Sequence, residues 1–181
     1  APRLDPLEVA RVSAHFRALP YATLADIDAA AGRSAAFQAW YRHNTRAHKV
    51  SGYRIVFLSL KKHGVPPGDI TSAQLDAVAA LAEQYSFALA RVTHDQNLVL
   101  ADVRQMDLHA LWQALEPLGL ATPNIGTLTD MICCPGLDFC SLANARSIPI
   151  AAQINERFDD LDHLYDLGEI QLKMSGCMNA C

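Results

Sequence analysis

The cysteines are the residues of this chain whose type and spacing best suit chemistry. All five lie within the last 49 residues of a 181-residue sequence, as a C-x5-C motif (Cys134 and Cys140), a C-x3-C motif (Cys177 and Cys181) and the extra Cys133. Buried structural cysteines would instead be scattered along the chain. In a reducing compartment, clustered cysteines indicate metal binding or catalysis before disulfides.

The spacing of the four motif cysteines favours an iron–sulfur cube over zinc. Zinc knuckles usually use C-x2-C or C-x4-C spacings, whereas here 36 residues separate a C-x5-C from a C-x3-C motif. Four thiolates from separate segments suit a 4Fe–4S cluster, and Gly136 and Gly176 would let the backbone come close to it. Zinc binding, and buried or disulfide-bonded cysteines, remain alternatives at this point. Cys133 falls outside the C-x5-C pair and is predicted to be a small buried apolar residue.

Three motifs in order carry a resemblance to a known family. The segments "CPGLDFCSLANARS" and "IQLKMSGCMNAC", with "LARVTHDQNLVLADV" upstream, resemble the nitrite/sulfite reductase family, which contains sirohaem and a 4Fe–4S cluster. The pattern is most similar to the bacterial assimilatory sulfite reductase haemoprotein branch. The resemblance implies that the cluster is held by four thiolates, with the last one also bound to the sirohaem iron: Cys134, Cys140, Cys177 and Cys181.

The resemblance also implies which residues contact the sirohaem. Arg91, Thr93, Gln96 and Asn97 match the family positions that lie against the macrocycle, and Asn179 matches the asparagine between the last two cysteines. An arginine can pair with macrocycle carboxylates, and the amides can offer further donors. The sequence departs from the family at Met178, where many members have proline.

The family resemblance covers only part of a reductase. Members consist of two pseudo-equivalent halves, and this chain resembles the ferredoxin-like part of the second half and the beginning of its cluster-binding unit. We therefore expect a fragment that is inactive by itself, has no catalytic residue of its own, and is too small to hold sirohaem stably. Its expected partners are the missing first half of the same polypeptide, sulfite or nitrite, and an electron donor, either ferredoxin or a flavoprotein subunit.

Several functions fit these motifs. The first is a sulfite reductase haemoprotein that reduces sulfite to sulfide with six electrons. Within the family, a nitrite reductase or a precorrin-3B synthase is the alternative. A function of another class is a non-catalytic interaction module whose cysteines hold zinc or a structural cluster.

The elements that must position these residues follow from periodicity and turn chemistry. Alternation predicts strands over 51–62, 87–93 and 97–103, the last two joined as a hairpin by "HDQ". Apolar spacing predicts helices over 71–86 and 107–119. The order strand–helix–strand–strand–helix is that of a ferredoxin-like α+β unit. Residues 5–19, the Ala-rich 23–48 and 140–158, interrupted by Pro149, are also predicted to be helical, and 168–176 to be a strand.

Changes of character along the chain predict three segments. Residues 1–50 form a helical connector, 51–122 the ferredoxin-like half domain, and 123–181 the start of an α/β unit that binds 4Fe–4S and sirohaem. Lys61, Lys62 and His63 read as a solvated strand end.

Composition excludes some classes of partner. The formal net charge is −4, which gives no support for a nucleic-acid surface. No apolar run reaches the ~18 residues that a membrane helix needs. A cytoplasmic protein with reduced cysteines is expected.

Overall fold

A computed structural model describes residues 5–16 and 18–179 of the chain. Within them the helices are α1 (Pro6–Ser13), α2 (Ala35–Asn44), α3 (Ser72–Tyr85), α4 (Leu108–Leu115), α5 (Ser147–Arg157) and α6 (Leu161–Leu167). The strands are β1 (Thr45–Ala47), β2 (Tyr53–Leu58), β3 (Arg91–Val92), β4 (Leu98–Arg104), β5 (Ile132–Cys133) and β6 (Lys173–Met174).

The larger sheet has the strand order β1-β2-β4-β3 and is antiparallel throughout. Strands β3 and β4 form the predicted hairpin, with Val92 opposite Leu98. The succession β2, α3, β3, β4, α4 is the strand–helix–strand–strand–helix order predicted from the sequence, and the α+β ferredoxin-like class is confirmed.

Helix α3 lies within the predicted range 71–86, with Thr71 as its N-cap. The Thr71 side chain accepts from the Gln74 backbone N–H, and the Gln74 side chain accepts in return from the Thr71 N–H, which completes a capping box. The apolar face of α3 is buried at Val78, Leu81 and Ala82. These residues join one core with the inward residues of β2 and β4 and with apolar residues of α2 and α4, so the helices cover one face of the sheet.

Several local predictions were wrong in detail. Thr45–Ala47 was predicted to be helical but forms the edge strand β1, and the stretch 18–34 contains no helix. Strand β3 is shorter than predicted because Phe87 and Ala88 have positive φ angles of 50° and 60° and form a turn. Pro149 does not interrupt a helix; it lies in the first turn of α5, where its missing N–H costs nothing.

The second sheet is small and parallel, and it consists of β5 and β6. Its apolar side is a separate core in which Met131, Cys133 and Ala151 are buried, with partly buried Leu172 and Met174 packed against them. The 123–131 stretch is irregular as predicted, but β5 was missed and the strand predicted over 168–176 shrinks to Lys173–Met174. No helix in the part of the chain that the structure describes is long and apolar enough to cross a membrane.

Candidate metal centre

The parallel pair β5–β6 brings the two cysteine motifs to one place. Cys133 lies opposite Met174, and the Cys134 N–H continues the ladder with a 3.1 Å hydrogen bond to the Met174 carbonyl oxygen. Because the strands run in the same direction, the loops that follow them emerge at the same end. The C-x5-C motif starts directly after β5, and the C-x3-C motif starts three residues after β6.

The two loops are docked through their glycines. A Cβ atom on Gly176 would lie 2.9 Å from the Gly136 Cα and 2.8 Å from the Ala145 carbonyl oxygen, closer than real Cβ atoms come. The Gly176 carbonyl oxygen accepts from the N–H groups of Asn144 and Ala145, at 2.8 and 3.0 Å. Glycine is therefore required at 176 by close backbone contact, and at 136 also by a φ of +61°.

The Cys134 thiol lies in surroundings that stabilise its thiolate. Its Sγ is 3.4 Å from the Ser147 hydroxyl and accepts a 2.9 Å hydrogen bond from the Gly176 N–H. These two donors, the Ser147 hydroxyl first, lower the pKa of Cys134 below its ordinary value. A thiolate is the form that binds a metal.

Cys133 has the opposite environment. Its side chain is buried with Met131 and Ala151, and its S–H donates to the Cys134 carbonyl oxygen at 3.3 Å. Burial, and then the charge of Cys134, raise the pKa of Cys133 to about 11. The prediction that Cys133 is a small buried apolar residue is confirmed.

The other motif cysteines are less enclosed. Cys140 and Cys177 are half-buried, and Cys181 lies outside the described residues. Among the residues that the structure describes, no group of three histidine, cysteine or acidic side chains is close enough to hold a metal ion. The donor set nevertheless fits a cluster bound by sulfur, because the docked loops carry three thiols, and the N–H of the buried Gly176 donates to one of them.

Exposed apolar side chains surround the cysteine loops. The exposed fractions are 81% for Phe139, 70% for Leu142 and 96% for Met178. Asn179, which was predicted to contact sirohaem, is also exposed. Contact with a large, mostly apolar group is more favourable for these side chains than contact with water.

Gln96 and Asn97 attach this centre to the larger sheet. The Gln96 amide donates to the Cys133 carbonyl oxygen and accepts from the Cys133 N–H, both at 2.9 Å. Asn97 donates to Asp130 at 2.8 Å and accepts from the Leu60 N–H at 3.0 Å. Thr93 accepts from the Asn97 N–H at 3.1 Å and so closes the hairpin turn. Of the residues predicted for the sirohaem contact, Gln96 thus bonds to β5, Asn97 bonds to the segment before it, and Thr93 supports the hairpin turn.

Arg91 has a different partner. Its side chain is 54% exposed, and its Nη1 lies 3.9 Å from Oδ2 of the buried Asp102. None of its described contacts reaches the cysteine loops, so the structure does not join Arg91 to Gln96 and Asn97.

Lys61 belongs to the same group of hydrogen-bonded residues, and the prediction that it lies in solvent was wrong. Predicted to be solvated, its side chain is fully buried: Nζ donates to the Asp95 carbonyl oxygen at 2.6 Å and lies 3.4 Å from Asp130 Oδ1. Burial lowers the pKa of Lys61, and Asp130 partly offsets the effect. Nothing in the run "LKKHG" marks the first lysine as buried, because its partners come from distant segments.

Comparisons with known proteins show what this chain is similar to. Residues 63–118 match the model of the "Nitrite/Sulfite reductase ferredoxin-like half domain". The chain is 32% identical over 124 residues to "Sulfite reductase [ferredoxin] 1" of Mycolicibacterium paratuberculosis, which covers 65% of this chain and 22% of that protein. It is 29% identical over 125 residues to the chloroplastic ferredoxin–nitrite reductase of Zea mays, covering 65% and 21%.

A solved structure is also similar. The NirA protein of Mycobacterium tuberculosis superposes with a TM-score of 0.60 and 25% identity, over 76% of this chain and 25% of that one. The chain spans about a fifth of the length of the curated relatives it matches. The fold is that of an α+β module with a ferredoxin-like order of strands and helices. More particularly, residues 63–118 match the ferredoxin-like half domain of nitrite and sulfite reductases, and the chain is similar to such reductases over about two thirds of its length.

Proposed function

We propose that this chain supplies the thiolate ligands of a 4Fe–4S cluster in a sulfite reductase that also uses sirohaem. The observation that carries the proposal is the docking of the two cysteine loops at one end of the β5–β6 pair, with the Gly176 N–H donating to the Cys134 Sγ. Segments 42 residues apart in sequence meet through this hydrogen bond. The four cysteines in the described ranges are free thiols, with no disulfide among them.

In this proposal Cys134, Cys140, Cys177 and Cys181 would hold the cluster, and Cys181 would also be a ligand of the sirohaem. When bound, the two groups would carry electrons from the donor to sulfite. The chain's own residues stabilise the thiolate of Cys134, because the Gly176 N–H and the Ser147 hydroxyl lie within hydrogen-bond distance of its Sγ. Hydrogen bonds to cluster sulfurs also tune the reduction potential.

The remaining residues named for sirohaem act in two ways. Gln96, Asn97 and Thr93 act indirectly, because their hydrogen bonds already hold β5 and the hairpin. Arg91 and Asn179 are exposed and accessible to carboxylates. The apolar surface at Phe139, Leu142 and Met178 provides a face that the macrocycle covers.

The proposals that sulfite is the substrate and that ferredoxin is the electron donor rest on the names of the relatives. The first relatives are named sulfite reductase [ferredoxin], whereas nitrite reductases match at 29% and 25% identity. Activity belongs to the whole polypeptide, because in this family the substrate arginines and lysines come from the other half.

The adjacent cysteines provide a matched test. The protein is purified without oxygen, reconstituted with iron and sulfide, and analysed for iron, acid-labile sulfide and absorbance near ~400 nm. We expect a cluster in the parent and in Cys133→Ser, and its loss in Cys134→Ser and Cys140→Ser. Equal cluster content in Cys133→Ser and Cys134→Ser at matched folding would refute the ligand assignment. One zinc per chain without colour would favour the non-catalytic metal-binding module.

A further inference from the structure

A cleft of about 430 Å³ runs along strand β1, outside the cysteine loops. All three residues of β1 line it, and its opposite wall is formed by residues 125–127 with Tyr165, Gly168 and Glu169. No described cysteine is among the residues that line it. The proposed redox function assigns nothing to this cleft.

The cleft concentrates positive charge. Three arginines line it, Arg42, Arg46 and Arg54, against a single acidic residue, Glu169, which gives a local formal charge of +3 − 1 = +2 on a chain whose net charge is −4. In the described ranges, none of the three arginines has a carboxylate within salt-bridge distance. By contrast, four arginines elsewhere on the chain each pair with an acidic residue: Arg11, Arg91, Arg104 and Arg146.

Neutral contacts hold two of these guanidinium groups in place. Arg54 Nε donates to the Thr45 hydroxyl at 2.8 Å, and its guanidinium lies 4.3 Å from the centre of the Tyr41 ring. Arg46 Nη1 donates to the carbonyl oxygens of His43 and Thr45, at 2.7 and 2.9 Å. A guanidinium has five N–H donors, so each contact leaves donors unused. Pre-positioned arginines bind carboxylates and phosphates with little loss of side-chain entropy.

An aromatic pair forms a flat wall of the same cleft. The rings of His43 and Tyr165 are stacked with centroids 4.3 Å apart and planes at 9°. Burial first, and then Arg42 and Arg46, lower the pKa of His43. His43 is therefore neutral at pH 7, and the charge of the cleft comes from arginines, which do not titrate in the physiological range.

We propose that this cleft binds a small molecule bearing two or more carboxylate or phosphate groups, through Arg42, Arg46 and Arg54. The concave shape and volume fit a small ligand rather than a protein surface. The single Glu169 in the wall favours a ligand whose anionic groups are grouped at the arginine side. Binding at this cleft would require neither the cluster nor iron.

Calorimetric titration with pyrophosphate and with citrate tests the proposal on the purified protein. We expect saturable binding with a Kd below about 1 mM, weakened by added salt. Pyrophosphate alone would identify phosphate as the recognised group, citrate alone carboxylate, and either supports the site. Arg42→Ala should weaken binding about tenfold, the loss expected for charge-assisted hydrogen bonds. Arg33→Ala, an exposed arginine outside the cleft, should leave binding unchanged.

Glu169→Gln separates binding from folding. Removing the one negative charge should tighten binding about threefold, within the range of exposed charge pairs, and a damaged fold cannot mimic a gain. The proposal is overturned if neither anion binds up to 5 mM, if Arg33→Ala weakens binding as much as Arg42→Ala, or if Glu169→Gln has no effect. Binding that appears only with an acidic protein partner would also overturn it.

Discussion

Gln96 offers the sharpest test of how the cysteine strand is held. Its amide makes two hydrogen bonds of 2.9 Å with the backbone of Cys133, each worth about 1 kcal/mol net. Gln96→Ala should therefore lower the free energy of unfolding by about 2 kcal/mol. Gln96 also has a positive φ of 56°, a conformation that costs a non-glycine residue about 1 kcal/mol. Gln96→Gly should lose the same bonds but recover that strain, for a net loss of about 1 kcal/mol.

Urea unfolding followed by tryptophan fluorescence gives the global value, and amide hydrogen exchange gives the local one. In Gln96→Ala the Cys133 N–H loses its acceptor and should exchange freely. The Cys134 N–H, bonded to the Met174 carbonyl oxygen, should exchange up to about 30-fold faster, since 1.4 kcal/mol is a factor of ten. Gln113→Ala, at an exposed position of α4, should stay within about 0.5 kcal/mol of the parent.

Two results would refute this reasoning. If Gln96→Ala is as stable as the parent, the amide bonds to Cys133 contribute nothing to holding β5. If Gln96→Gly is destabilised as much as Gln96→Ala, backbone strain at this position is not relieved and the φ argument fails.

Two other predictions concern the same connection. Because burial lowers the pKa of Lys61, the unfolded chain holds a proton that the folded chain has released, so stability should rise with pH in the window below the ordinary lysine pKa of 10.5. Lys61→Met should remove that part of the rise in the free energy of unfolding, measured by urea unfolding at several pH values. An unchanged slope of this free energy against pH would contradict the burial argument. Gly176→Ala places a Cβ 2.8 Å from the Ala145 carbonyl oxygen and should reduce the iron bound on reconstitution. Gly168→Ala, with a positive φ but open space around its Cβ, is the control for a general loss of stability, and equal iron loss in both would show that the close contact at Gly176 is not responsible.

Much of the fold could be predicted from local signals. The hairpin around "HDQ" and the periodicity of α3 are properties of short segments, and each was found where the sequence predicted it. The edge strand β1 could not be predicted in this way. Three residues are too few to show alternation, and β1 exists because β2 offers a free edge for pairing.

The same distinction between local signals and distant partners applies to the candidate site. The sequence by itself predicts which residues would carry chemistry, because cysteine spacing and the motifs around it are local and specific. Only the tertiary structure decided how neighbouring residues differ: Cys134 receives hydrogen bonds that favour the thiolate, whereas Cys133, one residue away, is buried as a thiol. It also decided that Lys61 is buried, that Gln96 bonds Cys133, and that three arginines share one cleft. The reason is physical: the environment of a polar side chain is set by partners far along the chain, and no pattern in its own segment records them.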